Sequence, residues 1–148
     1  MTQIEYLTEK DLEIFAVSYA EYFNAEGDNW TYERAYRRLH QMWNIEDGIG
    51  LKAVSKDRIC GVLLGHLNWF DDAPDLYIQE VLVLREYQSC GIGSQLIKEA
   101  EQWGKSRGAA DASLETISDS RHEKLYGRLG YYTKTDLVYK KKKLQQQD

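Results

Sequence analysis

The chain is poor in the residues that punctuate, staple or anchor a protein. A single proline, Pro74, stands in 148 residues. That leaves little room for stiff linkers, and the length suits one domain over residues 1–148 with its own core. Only two cysteines are present, Cys60 and Cys90. They make no disulfide framework, and a reducing, cytoplasmic setting is expected. No apolar run approaches the ~18 residues of a membrane-crossing helix. Residues 1–12 carry Glu5, Glu9 and Asp11 and lack an apolar stretch, so no secretory signal is expected. Basic charge is in deficit: 19 Lys and Arg against 24 Asp and Glu leave −5. This argues against a nucleic-acid partner and suits a cationic one. The three histidines, His40, His66 and His122, stand in no cluster with metal-ligand spacing, so no metal is expected. Hydrophobic residues at 43% and charged residues at 29% exclude a disordered chain.

What is present is an alternation of strand and helix patterns. Gln3 to Leu7 alternates as a strand. Thr8 caps a helix with acids in its first turn and Leu12, Phe15, Tyr19, Tyr22 and Phe23 at helical spacing. Asn24 to Asn29 is a loop, and Thr31 caps a second helix bearing Ala35, Leu39, Met42 and Trp43. After Gly48 and Gly50, Leu51–Val54 and Ile59–Leu64 flank the polar turn Ser55-Lys56-Asp57-Arg58 of a hairpin. Asn68 to Asp75 is a loop. Leu76 to Leu84 reads as a buried strand, Arg85 to Gly93 as a turn, and Ile92 to Gly104 as an amphipathic helix. Ala112 to Ile117 is a short strand. Ser120 opens a helix by capping-box spacing, Gly130 stops it, and 131–144 supplies a last strand or strands. The order β-α-α-β-β-β-α-β-α-β predicts an α/β (α+β) domain, a mixed sheet with helices on both faces.

The glycine-bearing turn between the buried strand and the third helix carries the chemistry. Amides at a helix N-terminus have no intrahelical partner, and the dipole adds partial positive charge, so phosphate binds there. A dinucleotide loop would need a third glycine where Leu96 stands. A P-loop would need Gly-Lys-Ser/Thr. Neither is met. The pattern Gln/Arg-x-x-Gly-x-Gly/Ala is met by Gln88, Gly91 and Gly93.

That pattern, between an apolar strand and a helix, resembles the acetyl-CoA site of the GNAT acetyltransferases. The segment Leu125-Tyr126-Gly127-Arg128-Leu129-Gly130-Tyr131 resembles the family's Leu-Tyr-x-x-Leu-Gly-Phe/Tyr. Element order is similar to the family's across nearly the whole chain. The resemblance implies a mixed, mostly antiparallel GNAT-like sheet with acetyl-CoA as cosubstrate. By the same resemblance the cofactor-binding residues are Leu82, Val83 and Leu84 for the pantetheine arm, Gln88, Ser89, Cys90, Gly91, Ile92, Gly93 and Ser94 for the diphosphate, and Asp119 and Tyr126. Asp119 stands where the family often has asparagine, and His122 where it prefers a small residue. Gln79 stands where some relatives have an acid.

Two side chains are expected to be catalytic. Strict alternation places Glu80 on one face with Leu76, Ile78, Leu82 and Leu84, where an acid is costly unless paired or functional. It is the candidate general base. Tyr126 is the candidate acid that protonates the leaving thiolate. No well-supported nucleophile appears for a covalent route, so transfer would be direct. The expected activity is an N-acetyltransferase acting on a primary amine of a small cationic molecule, of the polyamine or aminoglycoside kind. Asp71, Asp72 and Asp75, with Glu26, Asp28, Glu46 and Asp47, are the loop acids that could rim its cleft. The alternatives are a protein or peptide N-acetyltransferase and a non-catalytic CoA-binding regulatory module. No membrane partner is expected. A homodimer is common in the family.

Overall fold

Thr8 is where the chain stops pairing and starts to coil. Gln3–Tyr6 (β1) precedes it and Glu9–Ala25 (α1) follows. The Thr8 hydroxyl accepts from the Asp11 amide at 3.3 Å, and the Asp11 carboxylate accepts from the Thr8 amide at 2.8 Å. Two donors orphaned at the helix start are thereby satisfied reciprocally. Thr31 caps Tyr32–Trp43 (α2) in the same manner, accepting from the Arg34 amide at 3.2 Å. The computed structural model describes residues 2–145. They fall into two units, one ending at Glu115 and one beginning at Thr116.

In the first unit, Gly48–Ser55 (β2) and Arg58–Asn68 (β3) form the expected hairpin. Its loop is Lys56 and Asp57, both left-handed with φ of 50° and 62°, which matches the twist of the strands they join. Asp75–Val83 (β4), Ile92–Ser106 (α3) and Asp111–Leu114 (β5) complete the unit. A short 3-10 turn, Arg85–Tyr87, lies between β4 and α3. The sheet runs β1-β2-β3-β4-β5, antiparallel except for the parallel pair β4–β5. The mixed, mostly antiparallel sheet expected from the sequence is therefore observed.

Helices cover both faces. Leu12, Phe15, Ala16 and Tyr19 of α1 and Ala35, Leu39 and Met42 of α2 share a buried cluster with Val62, Leu64, Leu82 and Leu84. On the other face α3 buries Leu96, Ile97 and Ala100. It approaches so closely that a Cβ at Gly104 would lie 3.3 Å from the Cβ of Leu76. Most of the folding drive resides in these two layers, since each large aliphatic side chain buried contributes about 1.5–3 kcal/mol.

In the second unit, Ser120–Arg128 (α4) is the one regular element among the described residues. Its cap is Asp119, one residue ahead of the expected Ser120; the carboxylate accepts from the His122 amide at 2.8 Å. Gly130, at φ 92°, ends the helix as expected. The last strand expected over 131–144 does not form among the described residues. Tyr132, Leu137, Val138 and Tyr139 are all at least 74% exposed. A strand is stabilised by its ladder and its cross-strand neighbours, which this stretch lacks. The lysines at 140–143 also favour water over pairing.

Candidate functional site

The turn after β4 is drawn tight before α3 begins. The Leu84 amide donates to the Cys60 carbonyl at 2.9 Å. The Gln88 side-chain amide donates to the Val83 carbonyl at 2.9 Å and to the Tyr22 hydroxyl at 3.1 Å. The chain then turns through two left-handed residues, Ser89 at φ 65° and Gly91 at φ 81°. Ile92 is buried and anchors the start of α3. Cys90 is exposed.

The first intrahelical bond of α3 runs from the Gln95 amide to the Gly91 carbonyl, 3.0 Å. The amides of Ile92, Gly93 and Ser94 come before it. Gly91 offers no side-chain cap, and the first turn contains no acid. Backbone in this arrangement can receive an anion. The nearby guanidinium groups are engaged elsewhere. Arg85 pairs with Glu26 at 3.5 Å and lies over the Tyr22 ring; Arg58 pairs with Glu86 at 3.0 Å and lies over Tyr87. Gly93 is not required by packing, because a Cβ there would touch only Val83, at an ordinary 3.8 Å. What a side chain at 93 would obstruct is approach from outside.

Glu80 occupies a different face from the one simple alternation assigns. Opposite β3, Leu64 pairs with Glu80 and Gly65 with Ile78, so Gln79 is an extra residue in the ladder. Such a bulge resets the parity of the strand. Leu76 faces α3, whereas Leu82 and Leu84 belong to the α1–α2 cluster. Glu80 goes with the latter. The expected single row of Leu76, Ile78, Glu80, Leu82 and Leu84 is thus two half-rows. β5 pairs with β4 only from Asp75 to Ile78. Beyond that point, among the described residues, Glu80–Val83 pair with β3 alone. Of the main-chain groups at Leu82, Val83 and Leu84, the Val83 carbonyl and the Leu84 amide are already bonded within the protein.

Glu80 receives the Tyr19 hydroxyl at 2.8 Å on Oε1. Burial holds its carboxyl above the usual glutamate range, opposed by the Tyr19 bond and the Arg38 charge. Burial and the neighbouring carboxylate push the Tyr19 phenol well up, so it stays a donor. Next along the strand, Tyr77 donates to Glu115 at 3.2 Å, and its ring lies 5.6 Å from that of His66. Tyr19, Tyr22 and Arg38 escaped the sequence reading. Tyr19 and Tyr22 sit in the apolar stripe of α1, which reads as core; a 61-residue separation hides the bond to Glu80.

Asp119 and Tyr126 stand on the second unit. The Asp119 carboxylate is engaged as a helix cap, and hydrogen bonds from the His122 amide and ring lower its pKa. Tyr126 lies within α4, and its ring meets that of Tyr131 edge-on at 6.0 Å.

The loop acids divide. Glu26 pairs with Arg85, Asp28 accepts from the Trp30 indole at 3.1 Å, Asp47 from the Trp69 indole at 2.9 Å, and Asp75 from Ser113 at 2.6 Å. Asp71 and Asp72 are exposed at the β3–β4 loop beside Trp69 and Phe70, themselves 64% and 63% exposed. Among the described residues no group of three His, Cys, Asp or Glu could hold a metal ion. No helix there is long and apolar enough to cross a membrane.

Residues 12–131 match the acetyltransferase (GNAT) family. The aminoglycoside N(6')-acetyltransferase type 1 of Acinetobacter genomosp. 13 is 30% identical over 82 residues, 52% of this chain and 53% of that protein. Its counterpart from Salmonella typhimurium is 22% identical over 79 residues, 53% and 54%. The chain spans about half the length of the curated relatives it matches. The fold is similar to an aminoglycoside acetyltransferase from an uncultured soil metagenomic sample in complex with sisomicin, with TM-score 0.77, 21% identity and 97% of each chain covered. An aminoglycoside N-acetyltransferase in complex with CoA gives TM-score 0.78 at 14% identity, covering 96% of this chain and 95% of that one.

Proposed function

The chain belongs to the GNAT acetyltransferase family, and from that premise we propose that it moves the acetyl group of acetyl-CoA directly to a primary amine of a small cationic molecule. The observation that carries this is the turn from Gln88 to Gly93. It opens α3 with amides that precede the first intrahelical bond, no first-turn acid and a glycine that packing does not require. The CoA diphosphate would lie on the amides from Ser89 to Ser94. The pantetheine arm would run along β4 at Leu82–Leu84; by family resemblance Asp119 and Tyr126 are also proposed to bind the cofactor.

The chemistry asks little more. Glu80 takes a proton from the acceptor ammonium. The freed nitrogen lone pair attacks the thioester carbonyl, the carbon–sulfur bond breaks with its electrons on sulfur, and Tyr126 protonates the thiolate. Of the two protons the nitrogen loses, one replaces that of Tyr126 and the other leaves Glu80 for solvent. Acid and base are thus regenerated. The relatives named for aminoglycosides support a small multi-amine acceptor, as does the exposed pair Asp71 and Asp72.

Release of CoA thiol from acetyl-CoA should be measured against sisomicin, a linear polyamine, a neutral amine and a lysine peptide. Faster release with a small multiply charged amine is expected. Preference for the peptide would favour a protein acetyltransferase. No acceleration by any amine would favour a CoA-binding module without catalysis.

A further inference from the structure

We propose that Tyr19 is the positioning residue for Glu80: its hydroxyl occupies Oε1, so that Oε2 alone is presented to the proton of the acceptor amine. The inference rests on reading Glu80 as the base. Its geometric ground is the 2.8 Å bond and the way the ring that makes it is held. Tyr19 is 3% exposed. The Phe23 ring lies tilted against it at 4.9 Å, and the Trp30 ring edge-on at 5.4 Å. Trp30 is in turn fixed by Asn24, which accepts from the Trp30 amide at 2.6 Å and donates to its carbonyl at 2.9 Å. The Trp30 indole donates to Asp28. The phenol is therefore clamped before an acceptor arrives.

A purely packing aromatic at 19 would be served by phenylalanine. Burying a hydroxyl costs about 1–3 kcal/mol unless it is bonded. Here the partner is a carboxylate, the stronger kind of acceptor. Burial and the adjacent negative charge keep the phenol protonated, so Tyr19 holds Glu80 without taking its proton. Among the described residues, α1 sets Tyr19 against Glu80, α2 the Arg38 charge, and β3 the apolar Leu64 across the ladder. Along β4, Tyr77 is tied to Glu115 just beyond β5. Tyr19 and Arg38 both favour the ionised carboxylate against the burial that opposes it.

The test is Tyr19→Phe, which keeps the ring and deletes the donor. Without it the carboxylate is less favoured, so the acid limb of the kcat/KM–pH profile should move up by about one pH unit. The plateau should fall about tenfold or more, with CoA affinity unchanged. In a Glu80→Gln background the same change should cost less than about twofold, because the two residues act as one unit. 3-Fluorotyrosine at 19, a stronger donor, should move the limb the other way. Titration of the Glu80 carboxyl carbon by NMR in wild type and Tyr19→Phe reads the same bond without any acceptor. An unmoved carboxyl titration, or a slow Glu80→Gln enzyme alongside Tyr19→Phe with wild-type limb and plateau, overturns the role of Tyr19. A Glu80→Gln enzyme with wild-type rate and profile removes the base reading, whatever the titration reports.

Discussion

The side-chain amide of Gln88 lies 2.9 Å from the carbonyl oxygen of Val83, five residues back. One bond thus ties the start of the glycine turn to the end of the strand that feeds it. The same nitrogen reaches Tyr22 of α1 at 3.1 Å, so the turn is fastened to the helical layer as well. A loop fixed at its entry and anchored by buried Ile92 at its exit presents its amides in one arrangement. Such preorganisation would reduce the ordering cost of binding the diphosphate proposed to lie there.

The first prediction concerns pH. Glu80 must be ionised to accept a proton, and burial raises its pKa. Activity should therefore be lost as pH falls through a value above the ~4.3 of an ordinary glutamate. Glu80→Gln should lower kcat roughly 100-fold or more and abolish that limb. A pH–rate series on both proteins checks it; an acid limb that survives in Glu80→Gln assigns the proton to another group.

The second prediction separates acid catalysis from packing on α4. Tyr126→Phe keeps the ring beside Tyr131 and removes only the hydroxyl. Single-turnover acetyl transfer should slow by about tenfold or more, while KM for acetyl-CoA stays close to wild type. An unchanged single-turnover rate would transfer the protonation of sulfur to water or another residue.

The third prediction is structural. Asp11 bonds Lys52 at 2.8 Å and accepts from the Thr8 amide in the capping box of α1. Burial raises its pKa, but the bonds from Lys52 and Thr8 together outweigh this, and the net shift is downward. A depressed folded pKa gives stability that is complete above the unfolded value of ~3.9 and is lost as pH falls through the lower folded one. Asp11→Asn should cost about 1–3 kcal/mol at neutral pH, and the difference should shrink below about pH 4. Urea unfolding across that window measures it; a difference independent of pH would mean the ion pair contributes nothing.

Much of this arrangement is legible in the residues, and the rest fails for identifiable reasons. Thr8 and Thr31 announce their helices because a cap is a local event within three residues. Lys56 and Asp57 mark the hairpin for the same reason. The glycine turn is legible because its backbone, left-handed at Gly91, favours a particular residue type. The bulge at Gln79 is not, since one inserted residue leaves the apolar-polar alternation looking intact while moving Glu80 to the other face. Tyr19 reads as core because it is core, with a polar tip whose partner lies on β4, far away in sequence. At 131–144 a last strand is expected from element order, but a strand needs a neighbour, and the segment's own residues carry no information about one.

Gly93 offers the most direct measurement of all. The fold has room for a side chain there, at an ordinary 3.8 Å from Val83, and alanine in place of helical glycine should if anything stabilise α3 by about 0.5–1 kcal/mol. Calorimetric titration of CoA into wild type, Gly93→Ala and Gly93→Val should give affinities that fall in that order, by about tenfold or more for valine, while thermal unfolding shows all three folded. If folded Gly93→Val binds CoA as tightly as wild type, the diphosphate does not lie on this turn.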